Sequence, residues 1–156
     1  MVSLNKPTLL LDSDVLINWL CLEEDILTHA KLWEAPHKII SLIEKGSAHG
    51  FSTLLNIMEI RFVLRRKKKF EENKIQTALV NLVKFVNVTV PDEINLLKAD
   101  ELQVNNFSLS VIDAALLAVA LASDDIILIS RDENLLKIAA RLIPSATPET
   151  FLKNLS

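Results

Sequence analysis

Val111–Ala122 reads VIDAALLAVALA, apolar at every position except Asp113. A helix that is apolar all the way round has no face to give to water, so it belongs at the centre of a core. It is far too short to cross a bilayer. The rest of the chain must therefore supply cover on every side of it. Asp113 is the exception that needs a reason. An unpaired carboxylate in such a setting costs on the order of 3 kcal/mol or more. Either a partner compensates it, or it serves the positive end of the helix dipole.

The cover comes from short strand-like runs alternating with amphipathic helices. Leu9–Leu11 follows Pro7 and stops at Asp12, a strand-length run bounded by turn signals. Ala48–Ser52, Val86–Val90 and Ile126–Ile129 read as further strands, and Ile143–Ala146 as a weak last one. Between them the spacing predicts helices over Val15–Leu22, over Glu23–Trp33, and over His37–Lys45 after an interruption at Pro36. A long helix capped by Ser52 or Thr53 runs to Arg66, followed by helices over Glu71–Lys84 and Asp92–Val104. Ser110 caps the apolar helix, Asp132 leads one through Arg141, and Thr147-Pro148-Glu149 starts a short terminal helix. This order predicts one α/β domain over residues 1–156. It has three layers: a central, mostly parallel sheet of 4–5 strands, with helices on both faces.

Composition narrows the chemistry. The formal net charge is −3, so nothing draws the whole molecule toward a polyanion. The one local exception is Arg61 with Arg65–Lys69, six cations in nine residues. That cluster reads either as a solvated helix end that suits the C-terminal dipole or as a patch for a phosphate backbone, with Arg65, Arg66, Lys67 and also Arg131 as candidate contacts. Cys21 is alone and His29, His37 and His49 are scattered, which leaves no zinc spacing and no nucleophile–histidine pair. Two glycines, Gly46 and Gly50, exclude a Walker A loop and a dinucleotide fingerprint. No signal peptide or membrane span is read, so a cytoplasmic protein with no membrane partner is expected.

What remains is a set of acids in repeated contexts. Asp12 and Asp132 each end a strand-like run. Glu59 and Asp113 each sit early in an apolar helix that follows a polar cap. In a parallel sheet the ends of strands and the starts of the helices that follow them share one edge, where ligands bind. Four carboxylates brought together there repel one another unless a cation offsets them. Oxygen-only ligands select hard ions such as Mg²⁺ or Mn²⁺. Such a site activates a water for in-line attack on a phosphodiester without a covalent intermediate. Asp14 reads as an outer acid or helix cap. Two other readings stay open. Asp12-Ser13-Asp14-Val15 also fits the opening motif of haloacid-dehalogenase-like phosphatases, with Asp12 as nucleophile, although the later Lys and the Gly-Asp metal motif are not evident. A catalytically inactive scaffold binding RNA or protein is the other.

Four stretches resemble the motifs of the PIN domain family, most closely its short VapC-type toxin ribonucleases. LLLDSDVLI resembles the first strand motif, STLLNIMEI the helix with an inward Glu, LSVIDAALLAVAL the third motif, and IILISRDENL the strand leading to Ser/Thr-x-Asp. Asp14 stands where Asn is more usual. The resemblance implies a PIN-like fold and an acidic quartet of Asp12, Glu59, Asp113 and Asp132 holding Mg²⁺ or Mn²⁺. It also implies supporting roles for Ser13 and Ser130, cleavage of RNA, a homodimer, and inhibition by a small antitoxin protein.

Overall fold

The computed structural model describes residues 5–156. Five parallel strands, β1 (Thr8–Leu11), β2 (His49–Thr53), β3 (Val86–Thr89), β4 (Ile126–Ile129) and β5 (Ser145–Ala146), lie in the order β3-β2-β1-β4-β5. The sheet is wholly parallel. β1 is its middle strand, with Leu10 opposite Phe51 on one side and Leu128 on the other. Being paired on both edges and covered on both faces, β1 can carry leucine at every position after Thr8, and Leu9, Leu10 and Leu11 are all fully buried.

Alternation along that strand divides the core in two. Leu9 and Leu11 point into one layer, with α1 (Ser13–Cys21), α2 (Glu34–Glu44), α3 (Leu54–Arg66), α4 (Glu72–Val83) and α8 (Pro148–Leu155). Leu10 points into the other, with α5 (Glu93–Asn105), α6 (Val111–Leu121) and α7 (Glu133–Ala139). The apolar helix is α6. Ala114–Ala120 is buried as expected, while Val111 at its start is exposed and Asp113 half-buried. Among the described residues no helix is long and apolar enough to cross a membrane.

The predicted helix over Glu23–Trp33 does not form. Leu22 adopts a left-handed conformation that ends α1. The Asp25 carboxylate then accepts the backbone N–H groups of Leu27 and Thr28 at 2.9 and 2.8 Å, while Glu24 bridges Lys31 antiparallel. A local Asp-to-backbone turn of this kind competes directly with helix. Ile26 and Leu27, read as a buried face, are 90% and 89% exposed. Pro36, read as an interruption, lies inside the first turn of α2, where a missing N–H costs nothing. The last strand shrinks to Ser145–Ala146, and α7 ends at Ala139 rather than Arg141.

Gly50 sits in β2 between Leu9 of β1 and Val86 of β3. A Cβ there would lie 2.5 Å from Ile43 Cδ1 and 3.2 Å from its Cγ1. Gly50→Ala is therefore expected to destabilise the chain by about 1–3 kcal/mol in urea unfolding, the cost of overpacking. An unchanged midpoint would show that α2 moves freely off the sheet.

Candidate active site

The carboxyl edge of the sheet is built by residues that end strands and start helices. Asp12 follows β1 and is the N-cap of α1; only 4% of it is exposed. Its Oδ1 accepts the Ser13 N–H at 2.7 Å and the Asn56 Nδ2 at 3.3 Å, and its Oδ2 accepts the Ser130 hydroxyl at 2.7 Å. Ser130 follows β4, and its oxygen also accepts the Asp132 N–H at 3.0 Å. One serine thus ties the acid of the central strand to the loop that carries the acid of its neighbour. Asp132 itself caps α7, accepting the Leu135 N–H at 2.9 Å.

The other acids approach from helix starts. Asp113 lies in the first turn of α6, its N–H held by the Ser110 hydroxyl at 3.1 Å. Glu59 lies in the second turn of α3 and is half-buried. Asp14, expected as an outer acid or cap, sits in the first turn of α1. It accepts the Val15 N–H at 2.6 Å and the Arg131 N–H at 2.9 Å.

These groups sense one another electrically. Burial, then the charges of Asp14 and Asp113, hold Asp12 well above the usual carboxylate range, against the pull of the Ser130 and Ser13 hydrogen bonds. Burial pushes Asp14 up to about 6, opposed by its two backbone N–H donors and reinforced by Asp132. Asp113 also rises to about 6, from burial first and then from Asp132, with smaller contributions from Glu59 and Asp14. The predicted quartet, with Asp14 added, therefore shares one field. Among the described residues no three acidic, His or Cys side chains form a ready metal cage. The donor set nevertheless fits a hard divalent cation. It is all oxygen, it carries uncompensated negative charge, and its carboxyls are protonated more readily than ordinary ones, as expected where positive charge is wanted.

Asn56 escaped the sequence reading. It is fully buried in α3, one turn before Glu59, and donates to both Asp12 and Ser13. The signal was a lone amide in the apolar run LLNIMEI. Arg131, a candidate phosphate contact, has a different occupation. Its guanidinium donates to Asn18 Oδ1, to the Leu32 carbonyl and to both oxygens of Glu149, which braces α1, the 22–33 loop and α8. Arg65 pairs with Glu72 through two nitrogens, which leaves Arg66 and Lys67 exposed at the end of α3.

The raised acids make stability depend on pH in a definite direction. In the cation-free protein Asp14 and Asp113 titrate near 6 when folded, against about 3.9 in an unfolded chain. Their contribution to stability is present below the unfolded value and is lost as pH rises through the folded one. With a chelator present, the melting temperature is expected to be higher at pH 5 than at pH 7.5 by about 3 °C or more. A flat or rising profile over that interval would show that the acids are well solvated.

Comparison with known proteins agrees with this architecture. A toxin–antitoxin complex from Klebsiella pneumoniae superposes with a TM-score of 0.63 and 18% identity, covering 89% of this chain and 96% of that one. VapBC2 from Rickettsia felis, bound to a promoter DNA fragment, gives 0.65 at 11% identity, covering 90% and 98%. PAE2754 from Pyrobaculum aerophilum gives 0.65 at 18% identity, covering 96% of each chain. At these identities the likeness establishes the fold. No curated protein sequence matches the chain. The sequence itself matches the PIN domain over residues 9–141, which takes in every acid of the site, and the chain belongs to the PIN domain family.

Proposed function

We propose that the protein is a metal-dependent endoribonuclease, the toxin of a toxin–antitoxin pair. PIN domains are nucleases, and they generally use divalent metals. The observation that carries the reading is the shared field of Asp12, Asp14, Glu59, Asp113 and Asp132 at the sheet edge, with Asp12 and Asp132 bridged by Ser130. Asp12, Glu59, Asp113 and Asp132 would hold Mg²⁺ or Mn²⁺. When bound, the ion polarises a phosphodiester and acidifies the attacking water. Ser130 and Ser13 keep the Asp12 carboxylate in place, and Asp14 fixes the Arg131 backbone beside it.

Arg66 and Lys67 suit an RNA backbone that extends beyond the acids. They end the helix that carries Glu59, about 10 Å further along it at 1.5 Å per residue. With few aromatic side chains and no tyrosine, the surface favours recognition by shape over base stacking. A homodimer that a small antitoxin protein inhibits would use the apolar groups left on the surface. Leu54, Met58 and Phe62 form an exposed stripe on α3, and Ile94, Leu97 and Val104 form another on α5.

The test is cleavage of structured RNA with Mg²⁺, Mn²⁺ or EDTA, alongside single-stranded DNA and a phosphomonoester. Metal-dependent RNA cleavage is expected, reduced at least 10²-fold by Asp12→Asn, an order typical of losing a key electrostatic group. In the same assay Arg66→Ala with Lys67→Ala is expected to weaken RNA binding and flatten its salt dependence. Turnover of the phosphomonoester without RNA cleavage would overturn the proposal in favour of the phosphatase chemistry that Asp12-Ser13-Asp14 also permits.

A further inference from the structure

Counting donors around Asp12 gives its two oxygens different capacities. An ionised carboxylate offers about four lone-pair positions, two on each oxygen. On Oδ1 both are taken, by the Ser13 N–H and by Asn56 Nδ2. On Oδ2 only one is taken, by the Ser130 hydroxyl. A single position remains, and it is on Oδ2.

Asn56 is the residue that closes Oδ1, and its orientation is fixed from three sides. The Asp12 carboxylate is an acceptor, so it takes Nδ2, and the amide oxygen then faces the Thr53 hydroxyl, which donates to Asn56 Oδ1 at 2.5 Å. The other Nδ2 hydrogen goes to Ser13 Oγ at 2.8 Å. Ser13 Oγ in turn donates to the Asn56 backbone carbonyl at 3.4 Å. Asn56, Thr53 and Ser13 are all buried, so solvent has no access to exchange one of these partners for water.

We propose that Asn56 is a positioning residue that makes Asp12 a one-oxygen ligand through Oδ2, and thereby biases the site toward small octahedral cations and against Ca²⁺. The inference rests on the reading of this edge as a divalent-cation centre. Mg²⁺ demands near-ideal octahedral coordination at short range, which one carboxylate oxygen per ligand satisfies. Ca²⁺ takes six to eight oxygens and commonly grips a carboxylate by both. Blocking Oδ1 removes that option at the most buried acid of the cluster. Ser13 and Thr53 serve the same end through Asn56.

Two measurements test this. The first uses the wild-type protein, crystallised and soaked with Mn²⁺, with the ion located by its anomalous scattering. Asp12 is expected to ligate through Oδ2 alone; ligation through Oδ1 or through both oxygens overturns the inference. The second compares the wild type with Asn56→Leu and Asn56→Ala. Both variants remove the Nδ2 donor without adding a charge beside Asp12, and the first nearly keeps the side-chain shape. Mn²⁺ binding is read by water-proton relaxation and then competed with Mg²⁺ or Ca²⁺. Outer partners of ligands commonly alter metal affinity 10–100-fold, so the ratio of Ca²⁺ to Mg²⁺ affinity is expected to rise about tenfold in each folded variant. A ratio within about twofold of the wild type in a folded variant overturns the proposal, because a purely structural asparagine would weaken all ions alike. If the wild type binds no Mn²⁺ near Asp12, the cation reading itself falls, and that failure is distinct from an unchanged ratio.

Discussion

The hydrogen bond from the Ser130 hydroxyl to Asp12 Oδ2, 2.7 Å long and buried, joins the sheet to the chemistry. Asp12 is where the central strand must stop, because its carboxylate caps α1 and cannot go deeper into a leucine core. Ser130 is where the neighbouring strand stops. Register makes the two meet: Leu11 stands opposite Ile129, so the next residue of each strand reaches the same edge. A one-residue slip of β4 would turn its side chains over and withdraw the serine from the acid. The same serine accepts the Asp132 N–H, so the position of a second acid depends on the same register.

A cluster of like charges opposes folding, and the two apolar layers must outweigh it. The fully enclosed stretch Ala114–Ala120 and the three leucines of β1 do so from either side of the sheet. Rigidity also matters at the edge itself. Arg131 braces α1, the 22–33 loop and α8 through Asn18, Leu32 and Glu149, while its backbone N–H holds Asp14. Its guanidinium donates to other acceptors, and its charge only partly offsets the burial and the Asp132 charge that raise Asp14. The field at the acids stays negative, as a centre for divalent cations requires.

The fold was legible because its strands are short, apolar and punctuated. Pro7, Pro91 and the acids at positions 12 and 132 mark ends that periodicity alone would blur. The acids were legible because each interrupts an apolar run, and a buried charge calls for a reason. Over 22–33 the helical spacing of Ile26, Leu27, Ala30 and Trp33 misleads, because Ile26, Leu27 and Ala30 stay exposed and the Asp25 turn wins locally. Asn56 was missed because an uncharged amide in a helix carries no comparable warning; its role lies in partners 43 and 44 residues away. The bracing contacts of Arg131 were hidden for the same reason, since its acceptors come from three distant elements. Pairings of that range are set by the packed fold and leave no periodic trace.

In the proposed function the acids are gathered for a cation, at a cost to the cation-free fold. Asp113→Asn probes that cost, because the change is nearly isosteric and touches the half-buried acid whose charge meets Asp132, Glu59 and Asp14. Thermal melts at pH 7.5 with chelator and with Mn²⁺ are the measurement. The variant is expected to melt at or above the wild type in chelator, since like-charge repulsion has been removed. It is also expected to lose the rise in melting temperature that Mn²⁺ gives the wild type. A variant that is much less stable in chelator, yet still gains as much from Mn²⁺, would contradict this reading and make Asp113 a structural acid.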